Sequence, residues 1–398
     1  MRVAKAAVQG HMNTFRVIFR TDASIQIGSG HVMRCLTLAE ALREVGAESR
    51  FICRELEGNL LELIHDRGFA TCRLPVQSDD SSIGAKSSGD NINNNPRVSI
   101  DWATDAAQSK ASAGETAVDW LIVDHYALDA RWEKEMRSVC RQLMVIDDLA
   151  DRAHDCDLLL DQNYYCNQKQ RYQGLLPDHC VTILGPGYVL LRQEFHAARQ
   201  QLRQRDGTIK RILVFFGGSD PTNQTQIALK ALEQLQSSEI SVDVVVGPTN
   251  PNRESIRSMC DQLACATYHS NVSNMAELIA NADLGIGAGG SAMWERCYLG
   301  LPTITVVFAG NQLRTTEDVA GLGAIDYLGW SGSLVPEDYA RAILDAIVNP
   351  QRVKQISDAA LRVVTEGSTS AVVDEMRNFE MPNLTKISAL SSAMTPSA

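Results

Sequence analysis

Short, largely apolar runs recur along this chain, and amphipathic stretches with helical spacing fill the intervals between them. The runs include Phe15-Arg16-Val17-Ile18-Phe19, Trp120-Leu121-Ile122-Val123, Leu143-Met144-Val145-Ile146, Ile212-Leu213-Val214-Phe215-Phe216, Val242-Asp243-Val244-Val245-Val246 and Thr303-Ile304-Thr305-Val306-Val307. Continuous β-branched runs of this length read as strands buried on both faces of a parallel sheet. The segments 227–235, 275–279 and 339–347 carry apolar residues at helical spacing, as do Val32, Cys35, Leu36, Leu38, Ala39, Leu42 and Val45. Strand and helix therefore alternate, which predicts an α/β protein with doubly wound parallel sheets. The alternation occurs twice, over about 15–163 and 210–329. Two Rossmann-like domains facing across a cleft are expected, one over 12–195 and one over 205–365, joined through a polar stretch that ends near Gly207.

Two segments break the pattern. An insertion of about 77–117 opens with Ser-, Asp- and Asn-rich sequence through residue 97, too poor in apolar residues to bury a face. Its Ser/Asn-rich part, 77–96, is expected to be a mobile surface segment, with a lid as the alternative. Residues 366–398 read as a tail that frays beyond Asn383. Met12 is expected to be the biological start, with the first eleven residues a leader added upstream.

Composition narrows the function classes. A length of 398 residues with 44% hydrophobic content supports two sizeable cores. The net charge of -11 argues against a general nucleic-acid binder. The ten cysteines are scattered, with no Cys-x-x-Cys pair and no zinc spacing, as expected for reduced thiols in a cytoplasmic protein. No apolar run reaches the ~18 residues of a membrane span.

Polar residues that follow the apolar runs carry the candidate chemistry, because ligands of open parallel sheets lie beyond the carboxyl ends of the strands. The first is Thr21-Asp22-Ala23-Ser24-Ile25-Gln26-Ile27-Gly28-Ser29-Gly30-His31, between a strand and a helix. Gly28 and Gly30 let the backbone approach a ligand, and a helix N-terminus favours an anion there. His31 offers an imidazole and is a candidate base, with Asp22 expected to orient its ring; a local hydrogen bond is the alternative. Tyr126 follows another strand and can bond a sugar or a water, or stand at the rim. In the second half, Gly217-Gly218-Ser219-Asp220 and Gly289-Gly290-Ser291 each lead from a strand into a helix. Ser219 or Asp220 can equally be an N-cap. Glu295 lies one turn beyond Ser291 and can accept ribose hydroxyls, or be a solvated surface residue. Asn311 and Gln312 offer amides to phosphate or sugar, or form a plain turn. No Gly-Lys-Ser/Thr occurs, and the Gly28-Ser29-Gly30 turn lacks the third glycine of a dinucleotide fingerprint, which excludes a P-loop and argues against NAD.

Together these blocks resemble a family. The run from Arg20 through His31 to Val32-Met33-Arg34 resembles the opening motif of the UDP-2,4-diacetamido-2,4,6-trideoxy-β-L-altropyranose hydrolases of pseudaminic acid biosynthesis. Asp124-His125-Tyr126, Leu190-Leu191-Arg192-Gln193-Glu194-Phe195, Gly217-Gly218-Ser219-Asp220 and Asn311-Gln312 match further blocks in the same order. More distantly, the chain is similar to the glycosyltransferases that add N-acetylglucosamine to lipid II. The resemblance implies a GT-B fold and inverting hydrolysis of a UDP-sugar by water, with no metal and no cofactor. It places the base on His31 and the family's tyrosine on Tyr126. It assigns nucleotide contacts to Gly218, Ser219, Ser291, Glu295 and Asn311. Gly217, Asp220, Gly290, Gln312 and Arg192 complete the expected substrate-binding set. The second half would hold UDP, so Gly28 and Gly30 would face the sugar and the β-phosphate. The expected partners are a small-molecule UDP-sugar and water. The insertion and the long tail depart from the family pattern.

Overall fold

A computed structural model of the chain describes residues 15–76, 100–235, 239–247, 249–270 and 272–379. The leader, the Ser/Asn-rich part of the insertion and the end of the tail lie outside the described residues.

Two parallel sheets form the frame. The first contains β1 (Arg16–Thr21), β2 (Glu48–Arg54), β3 (Ala70–Leu74), β4 (Val118–Asp124), β5 (Cys140–Ile146), β6 (Leu158–Asp161) and β7 (Val181–Leu184). Its order is β3-β2-β1-β4-β5-β6-β7. The second contains β8 (Arg211–Phe215), β9 (Ser241–Val246), β10 (Ala266–Ser270), β11 (Leu284–Ala288), β12 (Thr303–Val307) and β13 (Asp326–Trp330), in the order β10-β9-β8-β11-β12-β13. Every pairing in both sheets is parallel.

Successive strand residues point to opposite faces, and here each face has its own core. Val17 and Phe19 of β1 join one cluster while Ile18 joins another on the far side of the sheet. In β8, Ile212 and Val214 divide from Leu213 in the same way. This double burial explains why the strands read as unbroken apolar runs.

Both sheets reverse their winding direction at one place, between β1 and β4 and between β8 and β11. Such a switch point opens a crevice at the carboxyl ends of the strands. The Thr21–His31 turn and Asp124-His125-Tyr126 leave the first switch point. The Gly217-Gly218-Ser219 and Gly289-Gly290-Ser291 turns leave the second.

Two segments correct the sequence reading. Trp102–Ala113, placed in the insertion, is a helix that crosses over from β3 to β4. Its Asp105 is fully buried and accepts hydrogen bonds from Arg20, Arg54 and Trp132. A parallel connection needs such a crossover, and its small buried residues, Ala106, Ser109 and Ala113, hide it from a search for apolar periodicity. Ser368–Asn378, placed in the tail, is a helix that returns to the first sheet. Val372, Val373 and Met376 complete the core around β1 and β4, and Thr369 Oγ1 accepts from the Leu191 amide at 2.8 Å.

Candidate active site

The helix Gly30–Glu44 starts where the β1 turn ends, and it presents His31 and Arg34 one turn apart on one face. Asp124, the last residue of β4, pairs in register with Thr21 of β1 and so lies beside that turn. His31 Nδ1 is 2.5 Å from Asp124 Oδ1 and 3.2 Å from Arg34 Nη2. Arg34 grips the same carboxylate with two donors, at 2.5 Å and 2.6 Å. Burial disfavours the Asp124 carboxylate, but Arg34 and then His31 outweigh it and hold it ionised well below the usual range. An ionised acceptor at that distance accepts a hydrogen bond from Nδ1–H, which leaves the Nε2 lone pair as the basic position. His31 is 6% exposed.

Asp22 does not orient His31. It accepts from Arg20 Nη1 and Nη2 at 2.7 Å and 2.9 Å, and from the Arg54 amide at 2.7 Å. Its remaining neighbour is His125 Nε2 at 3.3 Å. Burial lowers the His125 pKa, and its Nδ1 accepts from the Ala127 amide, so this neutral ring braces the turn from beneath. Asp22 is a structural anchor because its oxygens are consumed by two buried arginines.

Tyr126 stacks edge-on against His31, with ring centroids 4.5 Å apart. Burial and the nearby Asp148 carboxylate push its phenol well above the usual value, so it stays neutral. Its hydroxyl accepts from Asn311 Nδ2 at 3.1 Å, a bond that joins the two halves of the molecule.

The second half supplies two helix starts, Ser291–Tyr298 and Gly310–Gly321. Like the His31 helix, each lacks a side-chain cap and has no acidic residue in its first turn. Uncapped first-turn N–H groups and the helix dipole favour a bound anion. The three starts converge. A Cβ added to Gly30 would lie 3.9 Å from Ser291 Oγ, one on Gly290 would lie 3.3 Å from Gln312 Nε2, and one on Gly218 would lie 3.1 Å from Ser29 Oγ. Gln312 Oε1 meanwhile accepts from the Phe308 amide. Gly28 and Gly217 take φ of +82° and +93°, which suits glycine, and turn the chain at the edge of this space.

Asp220 is also corrected. Its carboxylate is 1% exposed and accepts from the amides of Gln224 and Thr225 and from Thr225 Oγ1. It anchors the start of the helix Gln224–Leu235 and is buried there. Ser219, just before it, remains half-buried at the rim. Glu295 is half-buried and accepts from Arg192 Nη2 at 3.2 Å, while Arg192 also pairs with Glu194 at 2.7 Å. Arg192 therefore meets the cleft through Glu295.

Sequence reasoning missed Asp124 and Arg34 as the pair that sets His31. The His31–Arg34 spacing was a visible signal. The Asp124 contact depends on strand order, which is not written in the local sequence. Among the described residues no group of three or more His, Cys, Asp or Glu is placed to hold a metal ion, and no helix is long and apolar enough to cross a membrane.

Comparisons with known proteins agree with this architecture. Residues 212–371 match the glycosyltransferase family 28 C-terminal domain. The chain is 26% identical over 314 residues to the UDP-2,4-diacetamido-2,4,6-trideoxy-beta-L-altropyranose hydrolase of Campylobacter jejuni, covering 77% of this chain and 97% of that protein. It is 26% identical over 307 residues to an uncharacterized protein of Methanocaldococcus jannaschii, covering 75% of this chain and 56% of that one. It is 31% identical over 159 residues to the spore coat polysaccharide biosynthesis protein SpsG of Bacillus subtilis, covering 39% and 45%. The matched region thus spans about half the length of the archaeal and Bacillus relatives. Among solved structures, Acinetobacter baumannii MurG superposes with a TM-score of 0.58 at 15% identity, covering 91% of this chain and 99% of that one. The spinosyn forosaminyltransferase SpnP gives 0.60 at 13%, covering 92% and 99%. These likenesses show the fold: two Rossmann-like domains of GT-B type. The resemblance to the hydrolase family read from the sequence holds.

Proposed function

We propose that this protein is an enzyme that hydrolyses a UDP-linked amino sugar, UDP-2,4-diacetamido-2,4,6-trideoxy-β-L-altropyranose, in pseudaminic acid biosynthesis. The observation that carries the reading is His31, fixed through Nδ1 by Asp124, facing uncapped helix starts across a cleft. The likeness to the Campylobacter jejuni hydrolase supports the choice of substrate.

In this mechanism UDP lies in the second half. Its diphosphate meets the N–H groups at Ser291, with Gly217, Gly218, Ser219, Gly290, Asn311 and Gln312 around it. Glu295 accepts the ribose hydroxyls. The sugar lies toward Gly28, Gly30 and Tyr126. His31 Nε2 takes a proton from water as the water oxygen forms a bond to the anomeric carbon. The bond from that carbon to the β-phosphate oxygen breaks, and its electron pair leaves with UDP. The products are UDP and the free sugar with inverted configuration. A positioned base contributes about 10²–10⁴-fold, and helix N-termini stabilise the charge that grows on the diphosphate. UDP is already a good leaving group, so no metal is required in this scheme.

Incubation with the UDP-sugar and no acceptor tests the reading. UDP release is expected from the wild type and is expected to fall by about 10²-fold or more in His31→Asn, with UDP binding retained. A requirement for an acceptor would instead make the protein a UDP-sugar-dependent glycosyltransferase.

A further inference from the structure

Arg296 occupies the sixth position of the helix Ser291–Tyr298 and is 2% exposed. Helical side chains lean toward the N-terminus of their helix, and this one runs back beneath the Gly289-Gly290-Ser291 turn. Its slot exists because β11 carries glycine on the face toward it. A Cβ on Gly285 would lie 3.3 Å from Arg296 Cδ, and one on Gly287 would lie 2.9 Å from Nη1. Nη2 donates to the carbonyl of Ala288, the last residue before the turn, at 2.6 Å.

The remainder of the guanidinium is unsatisfied. Nε and Nη1 are sealed from solvent without an acceptor, and Arg296 makes no ion pair with a carboxylate among the described residues. Two hydroxyls around the same turn are also sealed and unpartnered: Thr305, paired with Gly287 in the sheet, and Thr316, which a Cβ on Gly289 would strike. Burial pushes the guanidinium down to about 10, so it stays charged at neutral pH. An unpaired buried cation is costly in the free protein. Among the other buried arginines, Arg20, Arg34 and Arg54 each have a carboxylate, and Arg205, which has none among the described residues, donates instead to the carbonyls of Ile279, Ala280, Ala282, Leu299 and Gly300.

We propose that Arg296 is a positioning charge behind the diphosphate site, acting through the Gly289-Gly290-Ser291 turn on the phosphates of bound nucleotide. The inference rests on the reading above that UDP occupies this turn. A polyanion just outside the turn supplies the missing counter-charge. The low-dielectric wall between them strengthens the attraction, and the charge on the β-phosphate grows as the sugar leaves. Arg296 therefore favours a diphosphate over an uncharged nucleoside without touching either.

Calorimetric titration of UDP and of uridine into wild type, Arg296→Met and Arg296→Lys tests this, with thermal melting of each free protein. The expected result in Arg296→Met is UDP affinity weakened about tenfold or more, uridine affinity unchanged, and a melting temperature at or above wild type. Arg296→Lys is expected to recover most of the UDP affinity. UDP affinity that is unchanged in Arg296→Met, or a loss shared equally by uridine, overturns the inference and leaves Arg296 a packing residue. If Arg296→Met does not fold, Arg296→Gln is read in the same way. A wild type that binds no UDP overturns the placement of the nucleotide itself, and is thus distinguished from failure of the Arg296 inference alone.

Discussion

The carboxylate that sets His31 is 93 residues away in sequence and 2.5 Å away in space. Asp22 is the choice visible in the sequence, because it follows the strand that leads into the His31 turn. The spatial choice is Asp124, because β4 pairs beside β1. Asp124→Asn is expected to favour the wrong tautomer and to lower kcat by about 10²–10⁴-fold with little change in KM. It also removes the nearer of the two carboxylates that Arg34 pairs with, leaving Asp148 at 3.5 Å, so urea unfolding is expected to show a loss of about 3 kcal/mol. Asp161, at the end of β6, makes a separate prediction. Burial, then Asp148, raises its pKa to about 7, above the roughly 4 of an unfolded carboxylate. The folded state therefore holds the proton more tightly. The stability this gives is complete below about pH 4 and is lost as pH rises through about 7. Urea midpoints measured at pH 5 and pH 8 are expected to differ less in Asp161→Asn than in wild type.

Turns and helices follow the same division between local and spatial information. The Gly-rich turns were legible, since glycine at the end of an apolar run and before a helical pattern has a local meaning. Their mutual approach was not. A Cβ on Gly247 would fall within the backbone of Gly218, so Gly247→Ala must displace the Gly217-Gly218-Ser219 turn. A rise of about tenfold or more in KM for the UDP-sugar is expected, with the His31 half intact. Asp220 illustrates the reverse confusion: Asp after a Gly-Gly turn fits both a ligand and a cap, and only its three acceptor bonds decide. The helix Ser368–Asn378 was read as tail because its apolar residues are few and separated from the repeat. It nonetheless buries Val372, Val373 and Met376, and Phe379 beyond it packs edge-on to Trp120 at 5.5 Å. Truncation after Glu366 is expected to cost about 3 kcal/mol or more in chemical denaturation.

At the scale of the whole molecule, the two sheets share one logic. Each reverses direction once, and the two reversals face each other with His31, Asp124 and Tyr126 on one side and two Gly-rich turns on the other. Asn311 to Tyr126 at 3.1 Å and Trp294 to Asn163 at 2.9 Å tie the halves together. The alternating pattern made this fold class readable, because parallel strands buried on both faces leave unbroken apolar runs. The pairing of particular side chains across the cleft was not readable, because it depends on how two separate winding patterns meet. The central claim is that this cleft delivers water, not another acceptor, to an anomeric carbon. Real-time proton NMR of UDP-2,4-diacetamido-2,4,6-trideoxy-β-L-altropyranose with the enzyme and no acceptor tests it most directly. The account predicts UDP together with free sugar that appears first as the inverted anomer, and near loss of both in His31→Asn. A substrate that stays intact without an acceptor, or full turnover by His31→Asn, would contradict it.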